Sequence, residues 1–158
     1  MLLSGCSITG SSQPSSGSPI VLFEPSEEPM SFEILSSANQ NPDQAGRPSP
    51  LQVRVYQLVN ETLFKNADFY SLFDDDIKVL GADLKKKEQL TIHPGQKNAP
   101  QSMILDRKTR FIGVLAAFRD LDNSIPTLLI SIDPEDPAPL CLLIEAKSLV
   151  LDPGCLKK

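Results

Sequence analysis

Few side chains in this sequence can do chemistry. His93 is the only histidine among 158 residues, so no pair of imidazoles can hold a catalytic metal. Any Ser-His-Asp relay would have to pass through it. It stands before Pro94-Gly95 at the end of an apolar run, which marks a strand end entering a turn, and a turn or surface histidine is expected. Asp74-Asp75-Asp76 raises the question of calcium, but lacks the alternating oxygen ligands and the glycine of an EF-hand loop. It reads as a solvated face or a cap. Lys85-Lys86-Lys87 reads as a solvent face ahead of a strand, and Arg119-Asp120 as an ion pair or turn. The eight glycines are scattered, with no P-loop, GxGxxG or GxSxG. No enzymatic activity, cofactor or metal is expected.

The three cysteines carry more information. Leu3-Ser4-Gly5-Cys6 resembles a bacterial lipobox: a leucine, two small residues that admit the signal peptidase, and the cysteine that takes the lipid. The apolar stretch before it is only a stub without a basic region, so residues 1–6 read as a signal-peptide remnant and lipobox. Residues 7–19 hold six Ser, two Gly and two Pro, the composition of a flexible tether with a reach of roughly 20 Å. Ser7 at the position after Cys6, where Asp commonly retains Gram-negative lipoproteins in the inner membrane, suggests the outer membrane, with the domain in the periplasm. Two or three acyl chains, at ~0.8 kcal/mol per buried CH₂, suffice for stable anchoring. With Cys6 lipidated, Cys141 and Cys155 are left. In an oxidising compartment they are a disulfide candidate; two separate thiols, Cys141 buried in a strand, are the alternative.

The elements that must position these residues are mostly strands. Pro is high at 14, Trp is absent, hydrophobic residues are 41% and charged residues 22%, as in an ordinary globular domain rich in turns. The net charge of −5 argues against a nucleic-acid footprint, and no apolar run is long enough to span a membrane. Residues 20–158 read as one domain. Ile20–Phe23 suggests an edge strand. Met30, Phe32 and Ile34 alternate on one face of a half-buried strand, as do Leu51, Val53 and Val55 in Leu51–Val59. Between them, Ser36 to Pro50 is a long polar loop, either functional or a floppy insertion. A helical insertion is expected at about 62–81. Asn66 can cap it, Asp68 suits its positive end, Phe69, Leu72 and Phe73 form its stripe, and Gly81 ends it. The acidic run restarts a second short helix. Strands follow near Glu88–Ile92, Met103–Leu105, Arg110–Phe118, Thr127–Ile132, Leu140–Ala146 and Ser148–Leu151. Arg110–Phe118 is apolar on both faces and so central, and Gly113 within it marks a close approach or bulge. Eight or nine short strands with one helical insertion make a two-sheet β-sandwich.

Taken in order, the lipobox, Val53–Leu58 (Val-Arg-Val-Tyr-Gln-Leu), Phe64–Leu72, Leu80–Leu84, Pro94-Gly95 and Phe111–Asp120 resemble the type VI secretion lipoprotein family known as TssJ, SciN or VasD. The truncated signal and the cysteine pair depart from the pattern. The resemblance implies a transthyretin-like sandwich of about eight strands. It also implies an outer-membrane lipoprotein facing the periplasm, anchored by lipid on Cys6. There it would bind the C-terminal periplasmic domain of the inner-membrane subunit TssM, several copies capping a trans-envelope complex. In the family the loop between the first two core strands contributes to binding. Here that loop is Ala38, Asn39, Gln40, Asn41, Pro42, Asp43, Gln44, Ala45, Gly46, Arg47 and Pro48. Its prolines lower the entropy lost on docking, and Arg47, its only cation, is the first candidate hot spot.

Three other functions compete. A transthyretin-fold hydrolase would need several His and Arg groups, against a single His93. A pilot or chaperone for another secretion machine would expose a large apolar patch. A purely structural envelope lipoprotein would have no dedicated partner.

Overall fold

The structure, a computed structural model, describes residues 29–97 and 100–152. The lipobox with Cys6, the tether, Ile20–Phe23 and Cys155 lie outside the described residues. Eight strands are described: β1 (Pro29–Ser36), β2 (Leu51–Leu58), β3 (Leu84–Ile92), β4 (Gln101–Ile104), β5 (Phe111–Ala116), β6 (Thr127–Ser131), β7 (Leu140–Ile144) and β8 (Leu149–Leu151). They form two four-stranded sheets, ordered β4-β1-β7-β8 and β3-β2-β5-β6. All pairings are antiparallel except β1 with β7, where Phe32 faces Leu140 and Ser36 faces Ile144 in a parallel ladder.

Period-two alternation builds the core between the sheets. Met30, Phe32 and Ile34 of β1 meet Leu51, Val53 and Val55 of β2, with Leu140, Leu142 and Ile144 of β7 alongside. Each fully buried side chain of this size contributes about 1.5–3 kcal/mol. The expected faces of β1 and β2 are those observed. In β5, Ile112, Val114 and Ala116 point into this core while Leu115 points the other way and is equally buried. The central place expected for this strand follows, with β2 on one side and β6 on the other.

A second cluster explains why β5 is apolar on both faces. The helices α1 (Thr62–Asn66) and α2 (Phe69–Leu80) cover the outer side of the β3-β2-β5-β6 sheet. Phe64, Leu72 and Leu80 pack there on Tyr56, Leu58 and Leu115. Gly113 lies beneath Phe64. A Cβ on it would stand 2.9 Å and 3.0 Å from the Phe64 ring and 3.1 Å from Leu58, so the expected close approach is a ring laid on bare backbone.

The cap of α2 is Asp68, whose carboxylate accepts from the Ser71 backbone N–H at 3.0 Å; Asn66, expected to cap, is instead the last residue of α1. The helix is broken at Asp75 (φ −146°, ψ 56°), so the acidic run does restart the helix. Gly81 closes it at φ 50°. Asp76 departs from the expected solvated face: it is buried. Its carboxylate accepts from Lys87 Nζ at 3.0 and 3.1 Å, from the Tyr56 hydroxyl at 3.0 Å and from Arg54 Nη1 at 3.1 Å. Arg54 also donates to the Phe73 carbonyl at 2.8 Å, beside the break, and stacks over the Phe73 ring. Lys87 thus sits within β3, which starts at Leu84 rather than near Glu88, and its charge is used against Asp76 rather than left to solvent.

The two sheets, the helical layer and the turns leave one end of the sandwich where β1 passes to β2, β5 passes to β6 and β7 passes to β8.

Candidate functional site

The β1–β2 connection begins at Ser37 and ends at Pro50, and its path is fixed by hydrogen bonds rather than left floppy. Ser37 N–H donates to the Ile144 carbonyl at 2.8 Å and Asn41 N–H to the Ala146 carbonyl at 2.8 Å. Gln40 is fully buried. Its amide donates to the carbonyls of Ser49 at 3.2 Å and Ile92 at 2.7 Å, while its oxygen accepts from the Ser36 hydroxyl. Asn41, at positive φ (47°) and also buried, donates to the Pro50 carbonyl at 2.9 Å and accepts from Arg119 N–H at 2.8 Å. A buried backbone carbonyl or N–H left unpaired would cost about 1–3 kcal/mol; these two side chains satisfy several. Gln40 and Asn41, expected among the partner-contacting residues, therefore face inward and act as anchors. This corrects the site: the surface it offers comes from Ala38 and Asn39 and from Pro42 to Pro48.

Beyond the anchors the chain forms a tight knuckle. Asp43 N–H donates to the Arg47 carbonyl and Gly46 N–H to the Asp43 carbonyl, both at 2.9 Å. Asp43 Oδ1 accepts from the N–H groups of Ala45 and Arg47, each at 2.9 Å. This is the local side-chain to backbone closure that Asp favours in turns. Gly46 supplies the positive φ of 76° that the knuckle requires. The backbone N–H of Arg47 bonded to Asp43, helped by its guanidinium and the Ala45 N–H, holds this carboxyl below the usual carboxylate range. Arg47 donates to Asp43 Oδ2 through Nε at 2.8 Å and Nη2 at 2.8 Å. The proposed hot spot is thus an exposed guanidinium pre-set by a partner in its own loop.

Two other segments share this end. The Arg119-Asp120 pair is not an ion pair with itself. Asp120 accepts from Lys147 Nζ at 2.6 Å and from Asn123 Nδ2 at 2.9 Å, and the Lys147 hydrogen bond is the main cause that lowers its pKa. Pro42 to Ala45, Arg47, Arg119, Asp120 and Lys147 together line an open cleft of about 860 Å³. Sequence reading placed the loop here but missed its neighbours, since Asn41 meets Arg119 across 78 positions and nothing local signals that contact.

The described residues of the cleft walls supply guanidinium, ammonium, carboxylate and amide groups. Such a surface suits recognition. His93 is exposed, in the turn made with Pro94-Gly95, where its N–H donates to Gln96 Oε1 at 2.7 Å. Among the described residues no group of three or more His, Cys, Asp or Glu could hold a metal ion, and no helix is long and apolar enough to cross a membrane. Cys141 is buried in β7 and disulfide-bonded; Cys155, its expected partner, lies outside the described residues.

Among curated proteins none matches the chain. Solved structures do. The T6SS lipoprotein TssJ1 from Pseudomonas aeruginosa is 30% identical, with a TM-score of 0.73, over 80% of this chain and 98% of that one. A chain of a structure described as a type VI membrane complex is 26% identical, at a TM-score of 0.70, over 80% and 98%. A chain of a structure described as the T6SS protein TssM C-terminal domain (869-1107) from EAEC is 26% identical, at 0.67, over 79% and 98%. The family model for the type VI secretion lipoprotein (VasD, EvfM, TssJ) matches residues 28–154, which include both sheets, the helical layer and the loop end, and the chain belongs to that family.

Proposed function

We propose that this chain is the outer-membrane lipoprotein of a type VI secretion membrane complex. Lipid on Cys6 anchors it, the 7–19 tether lets it stand off the bilayer, and the domain faces the periplasm. There it binds the C-terminal periplasmic domain of TssM, and several copies tether the trans-envelope complex to the outer membrane. The observation that carries this reading is the family match across 28–154, joined to an ordered polar knuckle held out from the end of a rigid sandwich.

The structure described by the TssM domain adds support. The chain that matches there is 98% covered by only 79% of these 158 residues, well short of the span 869-1107. We read it as a companion of that domain.

The anchoring half of the proposal is tested in cells carrying the full gene. Labelled palmitate should enter the wild-type chain, which should band with the outer membrane on a density gradient. Cys6→Ser should take up no label and be recovered in the soluble periplasm. Label persisting in Cys6→Ser, or wild-type protein in the inner-membrane fraction, contradicts the anchor.

A further inference from the structure

Among the described residues, the loop-end cleft is lined by five charged side chains, and four of them are already matched. Asp43 is held by Arg47 and Asp120 by Lys147. The fifth is the guanidinium of Arg119. Arg119 is exposed, lines the cleft, and its side chain makes no hydrogen bond or ion pair within the described residues. It still contributes to the low pKa of Asp43 through space. On a chain of net charge −5, the cleft therefore carries one uncommitted positive charge.

Its backbone is fixed. The Arg119 N–H is bonded to Asn41 Oδ1 at 2.8 Å, and the preceding Phe118 is buried in the core. A guanidinium on a fixed Cα has its donors unused, and its planar fork loses less rotamer entropy per hydrogen bond formed than an ammonium would. It can form a bidentate pair with a carboxylate. The same Asn41 closes the loop onto the Pro50 carbonyl, so the knuckle and Arg119 are positioned by one side chain.

We propose that Arg119 receives an acidic side chain of the partner, making the docking surface a composite of the 42–47 knuckle and the start of the β5–β6 connection rather than the knuckle alone. This rests on the proposed binding of the TssM periplasmic domain and names the chemistry it must bring: a Glu or Asp, seated between the knuckle and Lys147. Asp43 and Asp120 on either side would repel it were they not neutralised by their own partners, which gives both internal ion pairs a purpose.

The test measures the affinity of the full chain, in detergent, for the C-terminal periplasmic domain of the TssM of the same system. The variants are Arg119→Gln, Arg119→Lys and Arg119→Glu, with a knuckle variant beside them. Buried guanidinium contacts at interfaces are commonly hot spots. Arg119→Gln should weaken binding by roughly tenfold or more and Arg119→Glu further. Arg119→Lys should recover only part, and the melting temperatures should stay unchanged. Added salt should weaken the wild type more than Arg119→Gln. Arg119→Gln binding within about twofold of wild type, while the knuckle variant loses binding, overturns the role of Arg119 and leaves the proposed function standing. A wild-type chain that does not bind at all overturns both, and that outcome is distinguishable because it precedes any substitution.

Discussion

Asp76 shows how a single residue can hold a layer in place. Burial alone pushes its pKa up; hydrogen bonds from Lys87 and Tyr56 and the charges of Lys87 and Arg54 more than reverse this, leaving it below the usual carboxylate value. Burial in turn pushes the Tyr56 phenol up, so Tyr56 stays a donor to Asp76. A carboxyl whose pKa is lower folded than unfolded contributes stability that is complete above the unfolded value and is lost as pH falls through the folded one. The wild type should therefore lose stability as pH drops below about 4, whereas Asp76→Asn, already weakened at pH 7, should lose less over the same interval. Denaturant titrations at pH 7 and pH 3 measure both. At pH 7 the substitution should cost about 2–4 kcal/mol, because Arg54 and Lys87 lose the negative charge that pairs them. Gly113→Ala should cost about 1–3 kcal/mol by forcing Phe64 off the sheet, read as a lower denaturation midpoint.

The acidic run suggested solvent because three adjacent carboxylates look alike in a sequence. Asp76 stands four residues from both Leu72 and Leu80, on the buried face of α2, and the cations that receive it come from β2 and β3, outside the helix. Gln40 and Asn41 were hidden for a related reason. An amide that satisfies buried backbone groups has the same letter as one on an exposed loop. A residual signal existed in Val55-Tyr56-Gln57-Leu58, where alternation stops because Tyr56 and Leu58 pack under the helices. Gln57, meanwhile, accepts from Asp106 N–H and Thr109 Oγ1.

Among the elements, the two sheets were the most legible. Strand faces follow from period two, and Met30, Phe32, Ile34, Leu51, Val53 and Val55 occupy the places their spacing demands. What spacing could not show is which strands neighbour one another, such as β1 beside β7 across more than a hundred residues. The β1–β2 connection illustrates the gap. Its composition marks it as a loop, but its rigidity comes from Ile92, Ala146 and Arg119, none of them near in sequence. Removing 38–48 entirely would take both anchors with it, and should destabilise the domain. Gln40→Ala alone should cost about 1–3 kcal/mol, since the Ile92 and Ser49 carbonyls lose a donor. Arg47→Ala, by contrast, removes an exposed side chain and should leave the melting temperature unchanged.

For the whole molecule, the proposed function needs the sandwich to present its loop end to a partner while the chain ahead of β1 carries the proposed anchor. The Cys141 disulfide belongs to this scale. If its partner is Cys155, the bond closes a loop of about 15 residues and stabilises by ~3 kcal/mol on the chain-entropy model. Non-reducing peptide mapping should recover the two cysteines in one cross-linked fragment, and Cys155→Ser should lower the melting temperature under oxidising conditions alone.

The most direct test of the central claim is binding of the full chain to the TssM periplasmic domain. It compares the wild type with a variant in which Gln44-Ala45-Gly46 is replaced by two glycines and Arg47 by alanine. This variant keeps Gln40 and Asn41, so it should fold with an unchanged melting temperature. The expected result is tight binding by the wild type and a loss of at least tenfold for the variant. Equal binding by both, or none by the wild type, would contradict a TssM tether that docks through this end of the sandwich.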